Sequence, residues 1–126
     1  GDAANWQKMD GRGMLKTTLT VGQEKIDVTI DTGNPGGLNL PKSLADRLGI
    51  ALTPLPGRKI KTVDAEFPLY EGKVDRDITL AGAPLRLGST IFADIPSANA
   101  GAKTLDGLRL IIDTPRRRWR LAGVAN

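Results

Sequence analysis

A strict alternation of apolar and polar residues early in the chain most constrains how it can fold. Leu15-Lys16-Thr17-Thr18-Leu19-Thr20-Val21 alternates, Gly22-Gln23-Glu24 turns, and Lys25-Ile26-Asp27-Val28-Thr29-Ile30 alternates again. Two such runs, rich in β-branched residues and joined by a short Gly-containing turn, predict a β-hairpin. Its buried face carries Leu15, Leu19, Val21, Ile26, Val28 and Ile30, because successive side chains point to opposite faces of a strand. Asp31-Thr32-Gly33-Asn34-Pro35-Gly36-Gly37 follows as a loop of backbone-permissive residues, and Leu38 and Leu40 form a short extended piece. Pro41 then opens a helix with Leu44, Ala45 and Leu48 on one stripe and Gly49 as its stop.

Farther along, two prolines between Thr53 and Gly57 are expected to break any regular element. Arg58 to Val63, Tyr70 to Leu80 and Leu85 to Ile95 predict strands, with Ala81-Gly82-Ala83-Pro84 a turn and Ser97 to Gly101 a loop of small residues. Leu105, Leu108 and Leu110 fit one helical turn running into a strand. Leu108 to Asp113 and Arg118 to Leu121 form a closing hairpin around Thr114-Pro115-Arg116-Arg117. About eight short strands with one or two short helices define an all-β fold, a compact barrel or sandwich. At 126 residues the chain has the length of one domain, with residues 1–12 read as an N-terminal extension and 13–126 as the domain itself.

Composition narrows the chemistry. Eighteen Lys and Arg against fourteen Asp and Glu give a net charge of +4, and 40% of residues are hydrophobic, which excludes a disordered charged tail. The chain has no His and no Cys. That removes disulfides, thiolate zinc sites, Cys nucleophiles, Ser-His-Asp triads and histidine general bases. No apolar run approaches the roughly 18 residues a membrane-spanning helix needs, so no membrane insertion is expected. The start at Gly1-Asp2, without Met, suggests a trimmed N-terminus, and the compartment is left open with export favoured over the cytoplasm.

Asp31-Thr32-Gly33 is the prime chemical candidate. It ends a strand whose alternation turns Ile30 inward, and it leads into a glycine-rich loop, so its carboxylate is shielded yet reachable. As a bare tripeptide it reads first as a turn in which Asp accepts backbone N–H bonds. Its surroundings extend the pattern: Val28-Thr29-Ile30-Asp31-Thr32-Gly33, a small-residue loop, Leu38-Asn39-Leu40-Pro41, and Leu44-Ala45-Asp46-Arg47-Leu48-Gly49-Ile50. A second block follows in which Gly101 precedes Leu105 by four residues and Asp113 by twelve, with Ile112 before that Asp and Arg118-Trp119-Arg120-Leu121 after it.

Over residues 13 to 122 the chain resembles the retropepsin-like aspartic proteases, notably their small bacterial single-domain members. The resemblance implies a closed β-barrel of the acid-protease type and a homodimer, in which Asp31 from each subunit faces its mate across a two-fold axis. Two carboxylates that close hold one proton between them, so one activates a water and the other polarises the peptide carbonyl. It further implies that Thr32 holds the two loops together across the interface, that Gly33 lets backbone approach substrate, and that the hairpin tip Asp64-Ala65-Glu66 is a flap over it. No metal or cofactor is implied. The substrate would be a peptide or protein, with Leu38, Phe67, Leu69 and Ile91 shaping its pockets.

Three features depart from the family pattern. Asn34 stands where a small Ala or Ser is usual, facing either the outer oxygen of Asp31 or the water site. The flap tip has no glycine. Asn99 stands where an apolar residue usually packs behind the catalytic loop. These departures keep open a catalytically inactive module that binds an extended peptide or protein partner. Two further readings are weighed and set aside. Arg116 to Arg120 with Trp119 invites nucleic-acid binding, but strand alternation turns Trp119 and Leu121 inward and Arg118 and Arg120 outward. Asp75 with Asp77, or Asp27 with Asp31, lacks the spacing of a cation site.

Overall fold

The computed structural model describes residues 6–11, 14–61 and 63–123. In chain order its strands are β1 (Gln7–Lys8), β2 (Leu15–Val21), β3 (Glu24–Asp31), β4 (Leu38–Pro41), β5 (Thr53–Lys61), β6 (Glu66–Lys73), β7 (Ile78–Leu80), β8 (Ala83–Leu85), β9 (Ser89–Ala93), β10 (Ala98–Gly101), β11 (Leu108–Asp113) and β12 (Arg118–Gly123). One helix, α1 (Lys42–Leu48), follows β4, and a 3-10 turn (Ala102–Leu105) follows β10. Nine strands make one sheet in the order β5-β6-β9-β4-β10-β3-β2-β7-β8, and three make a second, β1-β12-β11. The fold is all-β, as the alternation requires. Among the described residues no pairing joins β5 to β8, the two end strands of the larger sheet.

The first hairpin has the expected register, with Leu15 opposite Ile30, Leu19 opposite Ile26 and Val21 opposite Glu24. Leu19, Val21, Val28 and Ile30 are buried. They join Leu40, Leu44, Leu80, Phe92 and Trp119 in one core, where each large apolar side chain contributes roughly 1.5–3 kcal/mol relative to exposure. Helix α1 buries Leu44 and Ala45 and stops at Gly49, whose φ of 67° is the left-handed conformation that ends helices and that glycine adopts without strain.

Four sequence expectations are corrected. The Thr53–Gly57 stretch is not irregular but opens β5. It tolerates Pro54 and Pro56 because β5 lies at the edge of the sheet, paired only with β6, and because its register shifts between Pro54 and Lys59. The strand expected over residues 70–80 breaks at 74–77, leaving Asp75 and Asp77 in an exposed connection rather than on one strand face. The strand expected over 85–95 likewise breaks at residues 86–88. The supposed loop from Ser97 to Gly101 contains β10, a buried strand between β3 and β4. Its Ala98, Ala100 and Gly101 carry little strand propensity, and burial between two neighbours overrides that preference.

The second sheet uses the arginine cluster internally. Trp119 and Leu121 are buried. The Arg118 guanidinium lies 4.0 Å and that of Arg120 5.4 Å from the Trp6 ring centre. Arg118 Nε donates to Asp113 Oδ2 at 2.9 Å and Arg116 Nη1 donates to the same oxygen at 3.2 Å. Arg117 donates to the Asp10 carbonyl at 3.0 Å. Gln7 and Lys8, within the stretch read as an extension, pair with Trp119 and Arg118 on β12.

Candidate active site

Strands β3 and β4 follow each other in sequence but are not neighbours, since β10 runs between them, parallel to β3 and antiparallel to β4. The loop from Thr32 to Gly37 must therefore arch over the end of β10. Asp31, the last residue of β3, stands where that arch begins, directly opposite Gly101. The Asn34 N–H donates to the Asp31 carbonyl at 3.1 Å, which closes the Asp-Thr-Gly-Asn turn. The Asp31 carboxylate lies over that turn, its Oδ1 3.4 Å from where a Cβ on Gly33 would stand. Asp31 is half-buried, while Thr32 and Gly33 are exposed on the outer lip.

The arch is held from below by three successive amides. Gly101 N–H donates to the Gly37 carbonyl (3.0 Å), Ala102 N–H to that of Asn34 (2.7 Å), and Lys103 N–H to that of Gly36 (3.0 Å). This contact is why residue 101 is glycine. A Cβ there would stand 2.3 Å from the Gly36 carbonyl oxygen and 2.8 Å from that of Asn34, closer than atoms can approach.

Asn34 and Asn99, two of the three departures from the family pattern, turn out to be partners. Asn34 Nδ2 donates to Asn99 Oδ1 at 3.1 Å, and Asn34 Oδ1 accepts from the Gly36 N–H at 2.9 Å. Both ends of the Asn34 amide are thus engaged in supporting the arch. Asn99 provides the hydrogen-bonded support that replaces an apolar one.

A cleft of about 450 Å³ opens beside Asp31. Thr29, Asn39, Ser97 and Asn99 line it, together with Asn34 and Ile95. Of the residues expected to shape the pockets, Leu38 and Leu69 are core residues at 5% and 8% exposure. The lining of this cleft follows from the alternation itself. With Val28 and Ile30 inward, Thr29 and Asp31 share the opposite face, and Leu38 and Leu40 inward leave Asn39 on it.

The hairpin expected to act as a flap is formed by β5 and β6, with Asp64 and Ala65 exposed at its tip and Glu66 at the start of β6. Glu66 does not add free negative charge, because Lys59 and Lys61 approach its carboxylate at 3.4 and 3.7 Å. A glycine absent from the tip is present on the way to it. Gly57, inside the β5 register shift, has a φ of 75°, a conformation that suits the Pro56-Gly57 pair.

No protein-family model matches the sequence, and no curated relative does. Solved structures do match. A retropepsin-like aspartic protease from Rickettsia conorii superposes with a TM-score of 0.67 at 18% identity, over 93% of this chain and 96% of that one. The EIAV protease, solved with the inhibitor HBY-793, gives 0.57 at 19% identity over 79% and 92%. The retroviral protease-like domain of Ddi1 from Leishmania major gives 0.57 at 16% over 89% and 94%. The chain thus has the retropepsin-like fold. Within that fold, this chain carries one Asp-Thr-Gly turn.

Proposed function

We propose that the protein is an aspartic peptidase active as a homodimer. The observation that carries this reading is the placement of Asp31. One half-buried carboxylate ends β3 on an arch clasped by residues 101–103, beside an open cleft, with the outer lip of the arch uncovered. A single carboxylate per chain completes an acid–base pair only with Asp31 of the partner subunit. The exposed Thr32 and Gly33 offer the surface for that approach, as does β11, an edge strand with Ile112 49% exposed.

In the pair, one carboxylate is ionised and takes a proton from a water held between them. The water oxygen attacks the peptide carbonyl carbon while the protonated carboxyl donates to the carbonyl oxygen. As the tetrahedral adduct collapses, the C–N bond breaks and the departing nitrogen receives a proton from the carboxyl that gained one. The other carboxylate takes the proton of one adduct hydroxyl, which restores the pair with its single shared proton. The hairpin tip Asp64-Ala65-Glu66 closes over the bound segment and limits water access.

The test is cleavage of an unfolded protein and a peptide library between pH 4 and 7, with dimerisation followed by sedimentation. Asp31→Asn should lower turnover by at least about 10²–10⁴-fold, the share a positioned acid–base group supplies, with the dimer intact. Equal cleavage by both forms, or a dimer that cleaves nothing, overturns the catalytic assignment. The second outcome returns the protein to the peptide-binding alternative.

A further inference from the structure

The cleft beside Asp31 has a polar wall, and that wall is ordered. Thr29 on β3 stands opposite Asn99 on β10, and Asn99 stands opposite Asn39 on β4, so three adjacent strands each contribute one hydrogen-bonding side chain to a single cross-strand row. Ser97 extends the row just before β10 begins. All four residues are half-buried. Asn99 is taken up by Asn34, whereas the side chains of Thr29, Asn39 and Ser97 make no hydrogen bond among the described residues. Asp31 is the one charged lining residue among those described.

We infer that this cleft selects a substrate residue bearing an uncharged amide, Gln or Asn, beside the bond to be cut. The inference rests on the peptidase reading for the word substrate, and on the wall alone for the chemistry. Two hydroxyls and an amide offer both donors and acceptors, and a side-chain amide is the group that needs both at once. An aliphatic or aromatic side chain would strip water from those three groups and give nothing back, and sites built of unpaired polar groups reject such analogues strongly. A carboxylate would meet Asp31. An ammonium would compete for Asp31 with the proton that catalysis needs, and among the described residues no second acid lines the cleft. At about 450 Å³ the space accommodates a Gln side chain.

The experiment measures binding separately from cleavage. Peptides with a reduced, non-hydrolysable central bond, identical except for Gln, Asn, Leu, Phe, Glu or Lys at either flanking position, are titrated into the intact protein by calorimetry. The same series with a normal peptide bond is assayed for cleavage. Gln or Asn should bind at least about tenfold more tightly than Leu or Phe at one flanking position. Thr29→Val with Asn39→Leu should erase or invert that order. Ser97→Ala, a smaller change outside the strands, should narrow it by about threefold if the double variant fails to fold. Amide preference without cleavage of the normal peptides would sustain the inference and remove the peptidase reading. Cleavage with Leu or Phe bound equally well or better would do the reverse. Failure of every peptide to bind at millimolar concentration overturns the inference, as does preference for Glu or Lys.

Discussion

Replacing Gly101 by Ala tests the clasp beneath the Asp31 arch. The added methyl carbon would stand 2.3 Å from the Gly36 carbonyl oxygen and 2.8 Å from that of Asn34, and both obstacles are backbone, which cannot rotate away. The arch must lift. Lifting it endangers the three bonds from the amides of residues 101, 102 and 103 to the carbonyls of 37, 34 and 36. At about 0.5–1.5 kcal/mol each, their loss costs roughly 1.5–4.5 kcal/mol, a large part of a typical domain stability of about 5–15 kcal/mol. In urea unfolding the midpoint should fall by about 1 M or more with the slope unchanged. Gly33→Ala is the control on the opposite side of the same arch. Its methyl would meet Asp31 Oδ1 at 3.4 Å, an ordinary contact at an exposed position. Stability should therefore hold within about 0.5 kcal/mol. On the peptidase reading, peptide cleavage should fall at least tenfold, about 1.4 kcal/mol of transition-state stabilisation, because the methyl sits beside the Asp31 carboxylate. A Gly101→Ala protein as stable as the wild type would refute the clasp.

Two further outcomes are expected. In a double-mutant cycle, Asn34→Ala and Asn99→Val should each destabilise by about 1 kcal/mol, and the pair together by less than the sum, since each single change strands the other amide. Strict additivity in urea unfolding would show that the 3.1 Å bond carries no coupling. Asp113 supplies the pH dependence. The Arg118 hydrogen bond, aided by Arg116 and opposed by desolvation, holds its carboxyl below the ordinary value of 3.8. A depressed acid stabilises the fold at pH values above its unfolded pKa, and that contribution disappears as pH falls through the lower folded one. Thermal melts should accordingly show the wild type losing more stability than Asp113→Asn below about pH 4, with a constant gap above about pH 5. Parallel curves down to pH 2 would contradict the ion pair's role.

Much of this architecture could be read from the sequence where local pattern and tertiary demand agree. The β2–β3 hairpin is such a place, because its alternation serves both the pleat and the core. So is α1, where an apolar stripe ends at a glycine in the left-handed region. The Asp31 and Gly101 blocks were legible as spacing, and the structure brings the two together: Asp31 and Gly101 stand opposite each other on parallel strands. Illegible features depended on neighbours remote in sequence. β10 read as a loop because its small residues have no strand signature until two strands enclose them. β5 read as broken because nothing local says that a proline-containing strand will lie at a sheet edge. The Asn34–Asn99 bond spans 65 positions and presented itself as two separate anomalies.

That bond changes what the anomalies mean for the chemistry. Facing the carboxylate, Asn34 would alter the reaction itself, by holding the outer oxygen of Asp31 or displacing the water. Its amide instead reaches back to Gly36 and across to Asn99. The carboxylate is positioned by other means: the end of β3, the turn closed by the Asn34 backbone N–H, and the Gly101 clasp, of which only the clasp restricts side-chain size. Positions 34 and 99 are thus tied to each other by a side-chain bond that does not run through Asp31. A polar choice at 99 also lies in the cross-strand row with Thr29 and Asn39. The polar residue that props the arch thus also makes the adjoining wall hydrophilic.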